Sequence, residues 1–229
     1  MNQDEDFIIS SPYKITREDE SLIKRASPVA KKSADWENPC LEEFKRRVRE
    51  YYWREQNYRC AYCRTKIKAS QASPEIEHIV PKSEHDSDWM YTPFNLCVSC
   101  HMCNTKKRIK NVLSNEVNTY VSLPDDSSEY IIIHPHRDKY SKHIQIIDDI
   151  IYKGISDKGK KTIEICNLDR YELAVDRAEE KMIKEGTVDE KILYGLIKSD
   201  ESSMVDDVDK FMERIKKICR QYIEGRCDG

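Results

Sequence analysis

Five of the nine cysteines lie in two tight clusters whose spacing is typical of a metal site. Cys60 and Cys63 form one C-x2-C pair, and Cys97-Val-Ser-Cys100-His-Met-Cys103 contains two overlapping pairs. Each C-x2-C turn directs two thiolates at one ion, so two turns supply the four sulfur ligands of a closed, tetrahedral zinc site. We therefore predict a structural Zn²⁺ bound by Cys60, Cys63 and two cysteines of the second cluster. Spacing alone leaves open whether that second pair is Cys97/Cys100 or Cys100/Cys103.

The 36 residues between Cys63 and Cys100 are more than a plain zinc ribbon contains. Residues 75–80 alternate polar and apolar at first, include β-branched side chains and precede Pro81, which predicts a short strand. Asn95-Leu96 fits a second short strand, and the sequence from Cys100 onward has helical character with a basic face. The expected unit is therefore strand, loop, strand and helix, with zinc holding its two ends.

This order of motifs resembles the HNH endonucleases, whose core is a ββα-metal fold. The resemblance covers residues 60–107 and rests on four motifs in order: C-x2-C, Glu77-His-Ile-Val-Pro, Asn95-Leu and C-x2-C-Asn104-x-x-Lys107. The spacing is similar to that of the HNH modules of RNA-guided DNA nucleases. Family members place Asn directly after the last cysteine, so the resemblance selects Cys100 and Cys103 as the second zinc pair. It also implies hydrolysis of phosphodiester bonds in nucleic acid.

The resemblance implies catalytic roles for His78, Glu77, Asn95 and Asn104. An imidazole accepts a proton at neutral pH, which suits His78 as the general base that activates water. Glu77 and Asn104 offer hard oxygen ligands for a catalytic Mg²⁺ or Mn²⁺, and Asn95 is implied to hold the loop that orients the histidine. Neighbours on a strand point to opposite faces, so Glu77 and His78 share one centre only if the strand ends there. Glu75, on the same face as Glu77, either helps to bind this cation or faces solvent, and the second role is favoured.

Positive charge is concentrated around the same segment. The net charge of the chain is -3, yet residues 40–110 hold 14 Lys and Arg against 9 Asp and Glu. This favours a confined anionic partner such as a phosphate backbone, although a solvated helix face explains the charge equally well. The predicted contacts to nucleic acid, DNA more than RNA, are Lys107 and Arg108 on the helix after Cys100, and Lys45, Arg46 and Arg49 on an earlier helix.

Composition limits the class of protein. The 229 residues allow one large or two small domains, and 35% charged residues with only 6 Gly favour a helix-rich α+β chain. No run approaches the ~18–20 apolar residues of a membrane span. The acidic start lacks the apolar core of a secretory signal. We therefore expect a cytoplasmic protein with no membrane partner.

Four regions are predicted along the chain. They are a polar N-terminal arm (1–37), an HNH domain with the zinc site (38–115), a connecting region of short strands (116–155) and a mostly helical C-terminal region (156–229). The arm shows no strong period and is expected to become ordered only against another surface. The HNH domain is expected to begin with an amphipathic helix at Asn38-Pro39, whose apolar stripe comprises Leu41, Phe44, Val48, Tyr51, Tyr52 and Tyr58.

The later regions carry weaker signals. Strands are predicted at 130–135 and on both sides of a turn at Asp148-Asp149. The spacing of His134, His136 and His143 is irregular, and we do not expect them to bind a metal. A capping box at 187–190 and an apolar face in 203–224 predict two further helices.

The stretch from Ile155 to Arg170, with Arg177 further on, resembles the tail of one HNH subgroup. Its members are the HNH partners of ATPases in Septu-type anti-phage systems, some of them retron-associated. The resemblance implies a defence role and an ATPase partner. The alternative function is a catalytically inactive, zinc-stabilised protein that binds nucleic acid or scaffolds the ATPase.

Overall fold

The computed structural model describes residues 6–29, 32–67, 74–82, 89–114 and 122–184. These residues form a mixture of helices and short antiparallel strands, which confirms the α+β class. Their apolar side chains form one main buried core, which includes Cys60, Cys63 and Cys103 together with aromatic side chains such as Phe44, Tyr52 and Tyr62.

The N-terminal arm contains a helix that the sequence analysis missed. Helix α1 spans Arg17–Ala26 and begins with a capping box, in which Thr16 and Asp19 each bind the backbone N–H of the other. Asp19 is buried and also accepts hydrogen bonds from Arg47, which lies on the next long helix. The arm is therefore ordered against the protein's own core in this region. The helix cap and the buried Asp19–Arg47 ion pair stabilise it although it has few apolar residues.

Helix α2 spans Glu42–Glu55 and follows a 3-10 turn at Pro39–Leu41, where Asn38 accepts a hydrogen bond from the Cys40 N–H. Four members of the predicted stripe are fully buried: Leu41, Phe44, Val48 and Tyr52. Tyr58 is half exposed instead, because the helix ends before it and Asn57 and Tyr58 adopt positive φ. The amphipathic helix is thus present, but its stripe ends earlier than predicted.

Strands β1 (Glu75–His78) and β2 (Leu96–Ser99) form an antiparallel pair in which His78 lies opposite Leu96 and Glu77 opposite Cys97. The buried side chain of Gln56, just after α2, continues this sheet. Its amide donates to the Val98 carbonyl and accepts from the Val98 N–H, both at 2.7 Å. Gln56 therefore fixes the position of the C-terminal end of α2 relative to β2.

Helix α3 spans His101–Lys107 and follows β2 directly, with Cys100 as its N-cap residue. The described order is strand, strand and helix, as the sequence predicted. The helix ends at Arg108, whose φ of 46° is unusual for a residue with a side chain. This turn directs the chain away from α3 at the edge of the strand pair.

The connecting region is only partly as expected. Strands β3 (Ile144–Ile147) and β4 (Ile151–Gly154) form a second two-stranded sheet, and Asp148 and Asp149 both have positive φ, as a tight hairpin turn requires. The strand predicted at 130–135 is wrong. Only Tyr130 makes a bridge, to Leu113, because the backbone turns at the residues that follow.

Helices α4 (Asp157–Cys166) and α5 (Tyr171–Lys184) follow, and Ser156 caps α4 through the Gly159 N–H. The contacts divide the chain into two compact units. One contains residues up to Ile147 and Tyr152–Leu173, and the other contains Asp148–Ile151 and the chain from Ala174. The helices predicted at 187–190 and 203–224 lie outside the described residues. No described helix has both the length and the apolar character needed to cross a bilayer.

Candidate active site and metal centre

The sulfur atoms of Cys60, Cys63, Cys100 and Cys103 lie within 4.8 Å of one another. Tetrahedral coordination with Zn–S bonds of about 2.3 Å places sulfurs about 3.8 Å apart. The Sγ atoms of Cys63 and Cys100 are separated by 3.8 Å. The four cysteines that the resemblance selected are thus together, and their donor set and spacing are consistent with zinc.

Two local structures direct these thiols at one point. After α2, a tight turn brings the Arg64 N–H to the Cys60 carbonyl, with Arg64 at a positive φ. The Ala61 N–H donates to the Val98 carbonyl and so attaches this turn to β2. The second pair occupies the start of α3. Cys97 is fully buried in β2 and is not a member of the group, so the overlapping Cys97/Cys100 pair is not the one brought together.

His78 lies at the end of β1 with its ring held on two sides. Its Nε2 is 3.1 Å from the Met90 carbonyl oxygen, an acceptor, so Nε2 carries the proton and Nδ1 keeps the lone pair. The indole of Trp36 meets the ring edge-on, with 4.5 Å between centroids. Burial lowers the pKa of His78 to about 3. The imidazole is therefore neutral at physiological pH, with a defined tautomer.

Asn95 holds the turn that follows His78. Its side-chain oxygen accepts from the Val80 N–H at 2.7 Å, and its amide donates to the Val80 carbonyl at 3.0 Å. The same amide contacts the Trp89 carbonyl, one residue before the acceptor of His78. Asn95 is fully buried, so these bonds are shielded from water. Asn95 thus connects residue 80 to the backbone at Trp89, and its part in catalysis stays a prediction.

Glu77 and Lys107 form a buried ion pair, with 2.5 Å between Oε1 and Nζ. Burial raises the pKa of Glu77, and the ammonium of Lys107 opposes that rise. Lys107 also donates to the His78 carbonyl at 2.9 Å. Lys107 thus contacts the side chain of Glu77 and the backbone of His78. Because Lys107 is fully buried, it does not fit the predicted role in phosphate binding; it positions the backbone of His78 instead.

The partner of Asn104 is Glu75, for which the sequence left open a role at the metal or a place facing solvent. Asn104 Nδ2 donates to Glu75 Oε2 at 2.5 Å, and His101 Nδ1 lies 2.8 Å from Glu75 Oε1. Glu75 and Asn104 are both half-buried, whereas Glu77 is fully buried. A carboxylate and an amide oxygen at one solvent-accessible place fit a hard cation. The signal in the sequence was the i, i+2 spacing of the two glutamates, which puts both on the face toward α3.

One cleft connects these groups. It has a volume of about 510 Å³, and its lining includes Trp36, Ile76, His78, Lys82, Asn104 and Arg108. Lys82 Nζ is 2.9 Å from a Glu37 carboxylate oxygen, and Arg108 is exposed. His78 and Asn104 therefore share a cleft that has two cationic side chains in its lining. Sequence reasoning gave no sign that Trp36 and Glu37 would also line it.

The basic face of α2 is largely neutralised by acids on the same helix. Lys45 is buried, 3.0 Å from Glu42, and lies over the Trp36 ring. Arg46 pairs with Glu43 at 2.7 Å and with Glu50 at 2.9 Å. Lys45 therefore does not fit the predicted phosphate contact. For Arg46 and half-buried Arg49 that contact stays a prediction.

The three histidines of the connecting region each have a hydrogen-bond partner within hydrogen-bonding distance. His136 Nε2 is 2.7 Å from the Leu96 carbonyl oxygen, and burial lowers its pKa to about 4. His134 Nδ1 accepts from the His136 N–H. His143 Nδ1 is 2.7 Å from the Ser156 hydroxyl. These rings join the connecting region to β2 and to the start of α4.

Comparison with known proteins adds one similarity. No protein-family model matches the chain. The chain is 31% identical over 140 residues to the Septu protein PtuB of Bacillus mycoides (strain KBAB4), an alignment that covers 54% of this chain and 47% of that protein. The chain thus spans about half the length of the curated relative it matches. It is similar, over that part, to a Septu protein.

Proposed function

We propose that the chain is a metal-dependent HNH endonuclease with a ββα-metal core, which hydrolyses phosphodiester bonds of nucleic acid, DNA more than RNA. The observation that carries the proposal is the cleft shared by His78 and Asn104. A neutral imidazole with one free ring nitrogen and a cation-binding amide are the two groups that metal-assisted hydrolysis needs at one phosphate.

In this proposal His78 is the general base. With its proton on Nε2 and directed at the Met90 carbonyl, Nδ1 accepts the proton of the attacking water. A pKa of about 3 makes the free imidazole a weak base. An anionic phosphate next to the ring favours the imidazolium form, which opposes the effect of burial on the pKa of His78.

Asn104 and Glu75 would hold the catalytic Mg²⁺ or Mn²⁺, while Glu77, the predicted ligand, lies on the adjoining buried side in an ion pair with Lys107. The cation supplies charge stabilisation at the phosphate and the leaving oxygen. Glu75 fixes the amide of Asn104 by accepting from Nδ2, which leaves Oδ1 free. Lys107 and Asn95 keep the backbone of residues 78–80 in place, and Arg108 and Lys82 bind the substrate phosphates at the cleft.

The biological role we propose is that of the nuclease effector in a Septu-type anti-phage system, acting with an ATPase. The support is the similarity to the Septu protein PtuB over about half of the chain. The resemblance of residues 155–170 to the tail of Septu-associated HNH proteins points the same way. Co-purification of the chain with a candidate ATPase of the same defence system tests this role, and separate elution of the two proteins argues against it.

The nuclease assignment is tested by incubating the protein with labelled duplex DNA, single strands and RNA, with Mg²⁺ or Mn²⁺ and with EDTA. We expect cleavage that EDTA stops and that His78→Ala or Asn104→Ala lowers at least a hundredfold. His143→Ala, a histidine away from the cleft, is the control and should cleave normally. Undiminished cleavage by His78→Ala rejects the assignment. Binding without cleavage, also in the presence of the ATPase, supports the inactive binding protein.

A further inference from the structure

Arg170 is a buried cation beside the four-cysteine group. It lies between α4 and α5 and is only 8% exposed. Its Nη2 is 3.8 Å from Cys103 Sγ, and its Nη1 donates to the carbonyls of Asn167 at 2.8 Å and Cys166 at 3.3 Å. Its Nε is buried and has no hydrogen-bond partner. The guanidinium thus contacts the end of α4 on one side and a cysteine of the group on the other.

The charge of Arg170 requires an anion. Within the described part of the chain the polar contacts of Arg170 are to two backbone carbonyls and a cysteine sulfur and none is to an Asp or Glu, and a buried charge without a counter-charge is strongly destabilising. Four neutral thiols do not supply that counter-charge. Four thiolates around one Zn²⁺ have a net charge of −2, which does. The burial of Arg170 therefore argues that the cysteine group is an anionic, metal-bound tetrathiolate in the folded protein.

We infer that Arg170 is the charge-balancing partner of this zinc tetrathiolate, and that the metal in turn holds the end of α4. The N–H···S contact places a positive charge beside Cys103, which stabilises the charge of the tetrathiolate and slows loss of zinc. Lys110, just after α3, donates to the Ile165 carbonyl at 2.9 Å and reinforces the same junction. The end of α4 is thus held by the cysteine group as well as by Lys110.

The competing explanation is that Arg170 merely satisfies the last carbonyls of α4, as basic side chains near helix C-termini often do. That role predicts a change in stability but none in the metal site. A readout of the zinc–sulfur bonds themselves is therefore needed to separate the two roles.

The experiment uses the full chain loaded with zinc, and in parallel with Co²⁺, at neutral pH. Zinc transfer to a chromogenic chelator and the thiolate-to-cobalt absorption are measured for the wild type, Arg170→Gln and Arg170→Lys. Arg177→Gln is the control, since this buried arginine donates through Nε to the Asp149 carbonyl. None of these measurements needs nuclease activity.

We expect Arg170→Gln to release zinc about 10–100-fold faster and to shift the cobalt absorption. Arg170→Lys, which keeps the charge, should fall in between, and Arg177→Gln should match the wild type. If Arg170→Gln does not fold, faster zinc release from Arg170→Lys supports the inference. Wild-type release and absorption in both Arg170 variants, or a folded chain that binds no zinc, overturns it.

Discussion

At the scale of single residues, Glu75 and Glu77 lie two positions apart on one strand face but have different partners and different exposure. Glu77 is enclosed with Lys107, and Glu75 reaches Asn104 at the accessible end of the same face. The sequence shows that the two glutamates share a face, but not which of them meets a buried lysine. That depends on how α3 packs across β1, a contact between segments about thirty residues apart.

Substitution of the two glutamates should therefore separate stability from cation dependence. Glu77→Gln leaves the ammonium of Lys107 buried without its counter-charge, and we expect the free energy of unfolding to fall by about 3 kcal/mol. Glu75→Gln should leave stability within about 0.5 kcal/mol of the wild type, because the group is half-buried, while raising the Mn²⁺ concentration needed for half-maximal cleavage. Denaturant titration and metal titration measure the two effects. A stable Glu77→Gln contradicts the ion-pair account.

Asn95 makes a second prediction at this scale. Asn95→Ala removes the partners of both backbone groups of Val80, so we expect a loss of about 3 kcal/mol in urea unfolding together with loss of cleavage. Asn111 is a matched control, because its side chain binds the N–H and carbonyl of Leu113 in the same way but is exposed. Asn111→Ala should cost less than about 1 kcal/mol. Equal losses of unfolding free energy in the two variants would show that burial does not make the hydrogen bonds of Asn95 more important than those of Asn111.

At the scale of elements, the sequence patterns that extend over only a few residues predicted secondary structure correctly. The two strands, the helix after Cys100 and the aspartate turn at 148–149 were predictable because spacing and turn chemistry act over a few residues. Helix α1 was not predicted because its capping box has Asp19 where Glu or Gln is usual. The Asp19 carboxylate also accepts hydrogen bonds from Arg47, which is distant in the sequence. The apolar run at 130–133 suggested a strand, but those side chains fill the core from an irregular backbone instead.

The zinc elements give a prediction about cysteine identity. Cys103→Ser removes a ligand from the group, and we expect loss of bound zinc and a large loss of folded protein. Cys97→Ser should keep its zinc, since Cys97 lies outside the group, at a modest cost for burying a hydroxyl. Zinc content after gel filtration measures both. Retention of zinc by Cys103→Ser and its loss from Cys97→Ser would reverse the assignment of the second pair.

At the scale of the whole molecule, buried neutral histidines make folding sensitive to acid. Burial lowers the pKa of His136 to about 4, whereas the unfolded chain protonates this group near pH 6.5. Between these values the unfolded state binds the extra proton, so stability falls as pH falls from about 6.5 to about 4. His78 and His134, whose pKa values are also lowered by burial, act in the same direction.

His136→Gln should therefore flatten this dependence. The amide keeps a donor for the Leu96 carbonyl but does not titrate, so the slope of unfolding free energy against pH should fall by about 1 kcal/mol per pH unit near pH 5. Thermal or urea unfolding at fixed excess zinc measures the slope. Because acid also releases zinc from both proteins, the difference between them isolates the histidine. Identical slopes would show that His136 titrates normally in the folded chain.

The edge-on contact between Trp36 and His78 makes the cleft visible to fluorescence. The chain has 3 tryptophans, and replacing the other two by phenylalanine leaves one indole emitter within a ring's width of the proposed base. Its emission should change when a polyanion or a divalent ion enters. Binding of an ion or a polyanion in the cleft can then be followed without a label and without substrate turnover, also in the His78→Ala variant.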